Sequence, residues 1–326
     1  MKRLLSVLCT TALLLGSITG CGKEEVTLEQ PYDIYETTGS LGLGTTVSAG
    51  AQEYFSKDLC VADDVSLGTD TTDSQVAEGA GTFNLATNEI VYAKNIYERL
   101  YPASTTKILT AYIALKYCTD LSQTVTISEN AANQASDSSV CGLHAGDVIR
   151  MDDLLYGMML RSGNDAAISI AESISGSVEE FAALMNKEAA ALGATQSHFV
   201  NPNGLPDENH YTSVYDLYLI FRAALQNETF VQIISTTSYD VTYQAGDGTI
   251  EHTWENTNQY LSGHAKSPDG FTVIGGKTGT TGAAGYCLVL YSMNEQSQPI
   301  ISIVLKADGK SNLYLLMNEM LSGFAN

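Results

Sequence analysis

The sequence predicts an α/β (α+β) fold, a mainly antiparallel sheet flanked by helices with an all-helical domain inserted in the middle. Strand-like patterns lie toward both ends of the chain, from Ala80 to Lys94 and from Tyr239 to Lys306. Helix-period patterns fill the stretch between them. Neighbouring strands are joined by short connections, which suit antiparallel pairs and not parallel ones. The economical solution is one sheet built from residues of about 52–107 and 236–326, with a helical part of about 108–235 inserted between them.

The N-terminus reads as a targeting segment. Lys2 and Arg3 precede an apolar run, Leu4 to Leu15, that is too short to span a bilayer comfortably. Ile18-Thr19-Gly20-Cys21 follows, and it resembles the lipobox of bacterial lipoproteins. That resemblance implies a signal peptide over residues 1–21, lipidation of Cys21, and anchoring to the outer face of the cytoplasmic membrane after export. An ordinary secretory cleavage after small residues is the plainer alternative. Residues 22–51 are acidic and rich in Gly, Ser and Thr, and read as a tether. A flexible tether of that length reaches roughly 30 Å.

Residues 52–77 carry no clear period. Gly81 to Leu85 and Ile90 to Ala93 flank a turn at Ala86-Thr87-Asn88-Glu89 and predict a hairpin. A helix apolar on nearly every side starts near Ser104, the pattern of a helix buried all round. Pro102 favours a helix start after it, and the hydroxyls of Ser104, Thr105 and Thr106 can cap free N–H groups there. Gln123 to Ser128 alternates like a short strand. Helices are predicted at Met151–Leu160, Ala166–Ile174, Val178–Leu192, Val214–Leu225 and Thr229–Ile234. Tyr239–Tyr243 pairs with Thr249–Trp254 around Gly246-Asp247-Gly248. Thr272 to Lys277 is a strand entering a glycine-rich turn. Tyr286–Ser292 and Ile300–Lys306 form a further hairpin, and Leu313–Leu321 a terminal helix.

Composition excludes some functions. The formal charge is −21 over 326 residues, with a pI near 4.4. Nucleic-acid binding needs a basic surface, and adsorption to anionic lipid by charge alone needs the same. Hydrophobic content of 44% with 16% charged residues supports a sizeable core. Past Cys21, the cysteines Cys60, Cys118, Cys141 and Cys287 allow three disulfide pairings, or remain as free buried thiols, the blander option. No Cys-x-x-Cys or His-Glu-x-x-His occurs, so a zinc site has no support.

The chemistry gathers at Pro102-Ala103-Ser104-Thr105-Thr106-Lys107. Ser104 and Lys107 are one helical turn apart on one face. A serine attacks only when a base takes its proton, and a lysine is a base only when burial or a second cation keeps it neutral. A helix N-terminus also favours the negative charge of a tetrahedral intermediate. A lone Ser-x-x-Lys is expected about once by chance in such a chain, where it reads as a serine cap and a snorkelling lysine. Two more motifs change the balance. Ser162-Gly163-Asn164 sits between two helices, and Lys277-Thr278-Gly279-Thr280 ends a strand among Gly275, Gly276 and Gly282, which allow close approach of a ligand backbone.

Ser-x-x-Lys, Ser-x-Asn and Lys-Thr-Gly in this order form the signature of penicillin-binding proteins and class A β-lactamases. From about Ala80 onward the chain resembles the low-molecular-weight penicillin-binding proteins that are serine-type D-alanyl-D-alanine carboxypeptidases. The likeness includes Leu154 to Ala167, Phe199 to Leu205, Gly276 to Thr280 and Ala284 to Cys287. It implies a penicillin-binding-protein/β-lactamase-like fold. It implies peptidoglycan stem peptides ending in D-Ala-D-Ala as substrates, β-lactam antibiotics as covalent inhibitors, and no metal or organic cofactor. Ser104 would be the nucleophile, Lys107 its base and Ser162 a proton relay. Asn164, Lys277, Thr278, Gly279 and Thr280 would bind substrate, and the N–H groups of Ser104 and Thr280 would form the oxyanion hole.

The chain departs from the pattern at Gly163, where β-lactamases usually carry aspartate. Only 47 residues follow Gly279, so the further β-rich domain and C-terminal anchor of many members are expected to be absent. The rivals are a serine β-lactamase of the same fold and a non-catalytic cell-wall-binding lipoprotein. A Ser-His-Asp esterase lacks its Gly-x-Ser-x-Gly elbow here.

Overall fold

The computed structural model describes residues 58–61, 63–69 and 74–323. The signal segment, Cys21 and the tether lie outside the described residues. Chain order runs β1 (Ala77–Asn84), β2 (Glu89–Lys94), a 3-10 turn (Ala103–Thr106), α1 (Lys107–Tyr117), β3 (Thr124–Thr126), α2 (Glu129–Ala132) and β4 (Val148–Arg150). It continues with α3 (Met151–Leu160), α4 (Asn164–Ser175), α5 (Val178–Ala191), α6 (Val214–Ala224) and α7 (Glu228–Ser235). The last elements are β5 (Ser238–Ala245), β6 (Gly248–Glu255), β7 (Thr272–Thr281), β8 (Gly285–Met293), β9 (Pro299–Ala307) and α8 (Lys310–Ser322).

Both ends of the chain build one antiparallel sheet in the order β2-β1-β9-β8-β7, as the strand patterns imply. Its two faces are buried against different partners. In β9, Ile301, Ile303 and Leu305 join the core shared with α1 and α6. Ile300, Val304 and Ala307 pack on the other side with Leu313, Leu316, Met317 and Met320 of α8. Strict alternation is therefore masked, because apolar residues are wanted on both faces. β7 is left as an edge strand.

Helices α3 to α6 stand within a residue or two of their expected bounds. Serine side chains cap α5 and α6, where Ser177 and Ser213 accept from the N–H groups of Glu180 and Asp216. The inserted part is not all-helical, however. A second sheet, β3-β4-β5-β6, belongs to it, and the hairpin at 238–255 joins that sheet and not the five-stranded one. Side-chain packing explains the choice. Tyr239 stacks on Tyr156 of α3 at 3.9 Å, and its hydroxyl donates to Asp153 at 2.6 Å. Trp254 covers Gly157, where a Cβ would lie 2.9 Å from the indole. An alternating pattern announces a hairpin but not the surface on which it will dock.

One further expectation stands and another changes. Cys60, Cys118, Cys141 and Cys287 are all free thiols. The segment at Ser104 is a 3-10 turn leading into α1, and none of its hydroxyls caps the helix. The hydroxyls are engaged elsewhere. Thr105 donates back to the Pro102 carbonyl at 2.7 Å, and Thr106 meets His210 at 2.8 Å.

That last contact belongs to a loop that shapes the site. Residues 199–210 leave and return through paired hydrogen bonds between His198 and Tyr211. Asn186 of α5 holds the loop's start with reciprocal bonds to the Phe199 backbone at 2.8 Å. Three residues at the start of the buried helix hold its inner side: Thr106 through His210, Lys107 through the Asn203 carbonyl at 2.7 Å, and Thr110 through the Pro202 carbonyl at 2.7 Å. Gly204 sits in a left-handed conformation where a Cβ would lie only 1.8 Å from the Ala103 carbonyl.

His210 is 1% exposed. The Val200 N–H donates to its Nδ1 at 3.1 Å, so Nε2 carries the hydrogen and donates to Thr106. Burial lowers its pKa from 6.5 to about 4. The folded state thus holds the ring neutral, and the unfolded state takes the proton first as pH falls. Stability from this group is present above pH 6.5 and is lost between there and pH 4. The loss amounts to about 3 kcal/mol. We expect urea midpoints of the wild type to fall over that range by more than those of His210→Gln. Equal pH slopes for the two proteins would remove His210 as the cause.

Candidate active site

Ser104 stands at the junction of the sheet and the helical part. Ala103, just before it, has φ +48, a left-handed conformation unusual for a residue with a Cβ. The turn is pressed against β7, where a Cβ on Gly279 would lie 3.0 Å from the Ser104 nitrogen. Gly275 and Gly276 are equally confined, 2.2 Å from the Ile234 carbonyl and 2.1 Å from the Val289 carbonyl by the same measure. These glycines admit the protein's own backbone, not a ligand's as the sequence suggested, and Gly282 has nothing within 4 Å. The strand also runs on through Lys277-Thr278-Gly279-Thr280 to Thr281 before it turns.

Lys107 is wholly buried. Its Nζ donates to Ser104 Oγ at 3.0 Å, Asn164 Oδ1 at 2.8 Å and the Asn203 carbonyl at 2.7 Å. Burial, and then the nearby charge of Lys277, holds its pKa well below the usual lysine value. Lys277 is also wholly buried and donates to Ser162 Oγ at 3.0 Å and to the Thr278 carbonyl at 2.8 Å. Burial brings its pKa down to about 7. Ser162 has φ +61, so both site serines stand at or beside strained backbone.

The loop between α3 and α4 is held from one side. Asp165 accepts from the N–H groups of Cys141, Gly142 and Leu143 at 2.9, 3.0 and 3.1 Å. The Asn164 N–H donates to the Ser139 carbonyl at 2.8 Å. A Cβ on Gly163 would come within 2.3 Å of Cys141 Sγ, so the thiol fills the room that an aspartate at this position would need.

Two cavities meet at Ser104. One, of about 240 Å³, is lined by Ser162, Thr278, Thr280, Lys310 and Tyr314. The other, of about 340 Å³, is lined by Asp137, Asn164, Asn203, Leu205 and Thr281. A larger cavity of about 690 Å³, lined by Asn84, Glu89, Asp269 and Gln298, contains neither site serine nor site lysine. No cluster of three or more His, Cys, Asp or Glu side chains fit to hold a metal ion occurs among the described residues.

Each site residue expected from sequence among the described residues therefore lies in this one place, and Cys21 lies outside the described residues. Sequence reasoning missed Asn203, Asp165, His210, Asp137 and Lys310. Asn203 contributes a backbone carbonyl, which no residue type advertises. Asp165 was legible in principle as an acid in the first turn of a helix.

Residues 69–309 match the family of D-alanyl-D-alanine carboxypeptidases, peptidase S11. D-alanyl-D-alanine carboxypeptidase DacF of Bacillus subtilis is 34% identical over 252 residues, covering 75% of this chain and 61% of the relative. The D-alanyl-D-alanine carboxypeptidase of Streptomyces strain K15 is 33% identical over 240 residues, covering 70% and 80%. The chain spans about three fifths of the length of DacF and of DacA from Haemophilus influenzae. The crystal structure of the Streptomyces K15 DD-transpeptidase superposes with a TM-score of 0.71 at 31% identity, covering 77% of this chain and 98% of that one. The antiparallel sheet with its helical insertion is thus the DD-transpeptidase fold, and the chain belongs to the peptidase S11 family of D-alanyl-D-alanine carboxypeptidases.

Proposed function

We propose that this protein removes the terminal D-alanine from peptidoglycan stem pentapeptides through an acyl-enzyme on Ser104. The observation that carries the reading is Lys107 Nζ, fully buried and 3.0 Å from Ser104 Oγ. A buried lysine with a depressed pKa is a base at neutral pH.

Lys107 takes the hydroxyl proton as Ser104 Oγ attacks the carbonyl carbon of the penultimate D-alanine. The oxyanion faces the N–H groups of Ser104 and Thr280. Ser162, held by Lys277, relays that proton from Lys107 to the amine of the leaving D-alanine as the C–N bond breaks, which returns Lys107 to its neutral form. Water then adds to the ester, again with Lys107 as base, and releases Ser104. Asn164 fixes Lys107 and offers its amide to the peptide. The free edge of β7 receives the extended substrate as an added strand. Lys277, Thr278, Thr280 and the Lys310 ammonium favour a carboxylate in the smaller cavity. β-Lactams acylate the same serine.

The β-lactamase alternative needs a base that activates water on a penicilloyl enzyme. Asp207 and Glu208 are both exposed, and neither lines a cavity beside Ser104. Asp137 is the one carboxylate lining either cavity and it stands exposed, so slow turnover of penicillin is the expectation. Transfer of the acyl group to an amine in place of water uses the same intermediate, and the similar Streptomyces structure is that of a DD-transpeptidase.

The run from Lys2 to Cys21 supports export and lipid anchoring on the outer face of the cytoplasmic membrane. Among the described residues, no helix is long and apolar enough to cross a membrane. Residues 1–21 are proposed as signal peptide, 22–51 as tether and 52–326 as the catalytic unit.

Incubation with a muramyl pentapeptide should release D-alanine, read by mass spectrometry, and fluorescent penicillin should leave a persistent adduct. Ser104→Ala should lower D-alanine release by at least about a thousandfold and abolish the adduct. Rapid hydrolysis of a chromogenic cephalosporin without D-alanine release would reverse the assignment.

The pH profile tests the base. Activity should rise as pH passes the folded pKa of Lys107, because only its neutral form accepts a proton. The Lys277 charge lowers that pKa, so Lys277→Gln should move the acid limb of kcat/KM to higher pH. A limb that stays in place would assign it to another group.

Cys21→Ala should shift the protein from the membrane fraction to the soluble exported fraction. Retention on membranes washed with high salt would point to a different anchor.

A further inference from the structure

We infer that the larger of the two cavities at Ser104 reads the residue before the two D-alanines, and that Asp137 selects there a side chain ending in a free primary ammonium. The inference rests on the carboxypeptidase reading above and concerns which stem peptides that site prefers.

Charge sets the direction of the peptide. Lys310 and the hydroxyls of Ser162 and Thr278 line only the smaller cavity, where a C-terminal carboxylate is stabilised, while Thr280 lines both. The residues on the N-terminal side of the scissile bond then occupy the cavity on the other side. Asp137 is the one charged residue lining it. Its carboxylate has no hydrogen bond or ion pair with other described residues, and it stands exposed in the turn between α2 and β4. No internal partner has to be displaced for it to meet a ligand cation.

The same wall has an apolar part. Leu205 is 40% exposed and Pro206 is exposed beside it. A side chain with a methylene stem and a terminal ammonium lays the stem on such a surface and keeps the head at the polar rim. That is the side chain of a diamino acid such as lysine. An acylated amine has no charge for Asp137, and an added carboxylate is repelled by it and by a chain of net charge −21. The turn is held close to the loop that carries Ser162, since Asp165 binds three successive N–H groups of residues 141–143 and Ser139 accepts from Asn164. The site is thereby set to act on stems whose side-chain amine is still free, before that amine is acylated in a cross-link.

The test compares kcat/KM for Nα-acetyl-L-lysyl-D-alanyl-D-alanine with that for its Nα,Nε-diacetyl counterpart. At low salt the free amine should be preferred about fivefold, the size of a favourable exposed ion pair. Added salt should reduce the ratio. Asp137→Asn should bring it near one, and Asp137→Lys below one. Both substitutions lie in an exposed turn with no packing to lose. Equal turnover of the two peptides by the wild type, or a preference kept in both variants, overturns the inference and leaves the carboxypeptidase reading standing. Failure to release D-alanine from either peptide overturns that reading, and the inference with it.

Discussion

Two lysine side chains are buried completely in one site, and most of the local structure follows from the need to satisfy them. An ammonium removed from water without partners is strongly disfavoured, so it must lose its proton or gain acceptors. Lys107 is held in both ways: burial keeps its pKa well below the usual lysine value, and its three hydrogen-bond partners come from the 3-10 turn, the first residue of α4 and the 199–210 loop. Those segments are far apart in sequence, and a single nitrogen draws them together. Lys277 plays the same part on the other side, tying β7 to the loop at Ser162. The proposed base and relay are thus held by the interactions that join the sheet to the helical insertion.

Close backbone packing makes this convergence possible, and it leaves little room for substitution. Gly279 lets β7 touch the serine turn, Gly204 lets the loop rest on Ala103, and Gly163 leaves space for the Cys141 sulfur. Left-handed conformations at Ala103 and Ser162 cost roughly 1–3 kcal/mol each, which the surrounding hydrogen bonds offset. Such strain aims the two hydroxyls while their own backbones remain fixed.

Much of this was legible in the sequence, for identifiable reasons. Helices α3 and α5 carried their period in plain view, and the terminal strands announced themselves by continuous apolar runs. The three motifs located the site because the resemblance rests on side chains, and these side chains meet in the folded chain. The features missed act through backbone or tertiary contact. The Asn203 carbonyl has no side-chain signature. His210 looked like any loop histidine until Thr106 and the Val200 N–H were seen around it. The hairpin at 238–255 was recognised but assigned to the wrong sheet, because Tyr156 and Gly157, the surface that captures it, lie about 80–100 residues earlier. The expected hydroxyl caps at Ser104 failed because each hydroxyl has another partner in the folded chain: Lys107 for Ser104, the Pro102 carbonyl for Thr105 and His210 for Thr106.

The division of the groove at Ser104 bears on what happens after acylation. In the proposed reaction, the departing D-alanine leaves the smaller cavity, and its exit opens a path for water to the ester. A ligand whose leaving group remains attached, such as an opened β-lactam, keeps that cavity filled. Escape would then require water from the other side, activated by a carboxylate near the ester. The 199–210 loop does not supply one, since Asp207 accepts from the Asn209 N–H in an exposed turn and Glu208 points to solvent-exposed surface. The loop is instead committed inward through backbone carbonyls, at Pro202 to Thr110 and at Asn203 to Lys107. Its backbone helps hold the base of the reaction, which places its carboxylates at the rim. In the proposed reaction, release of a small amino acid and retention of a β-lactam rest on the same arrangement, with the exposed Asp137 the one carboxylate that lines the cavities at Ser104.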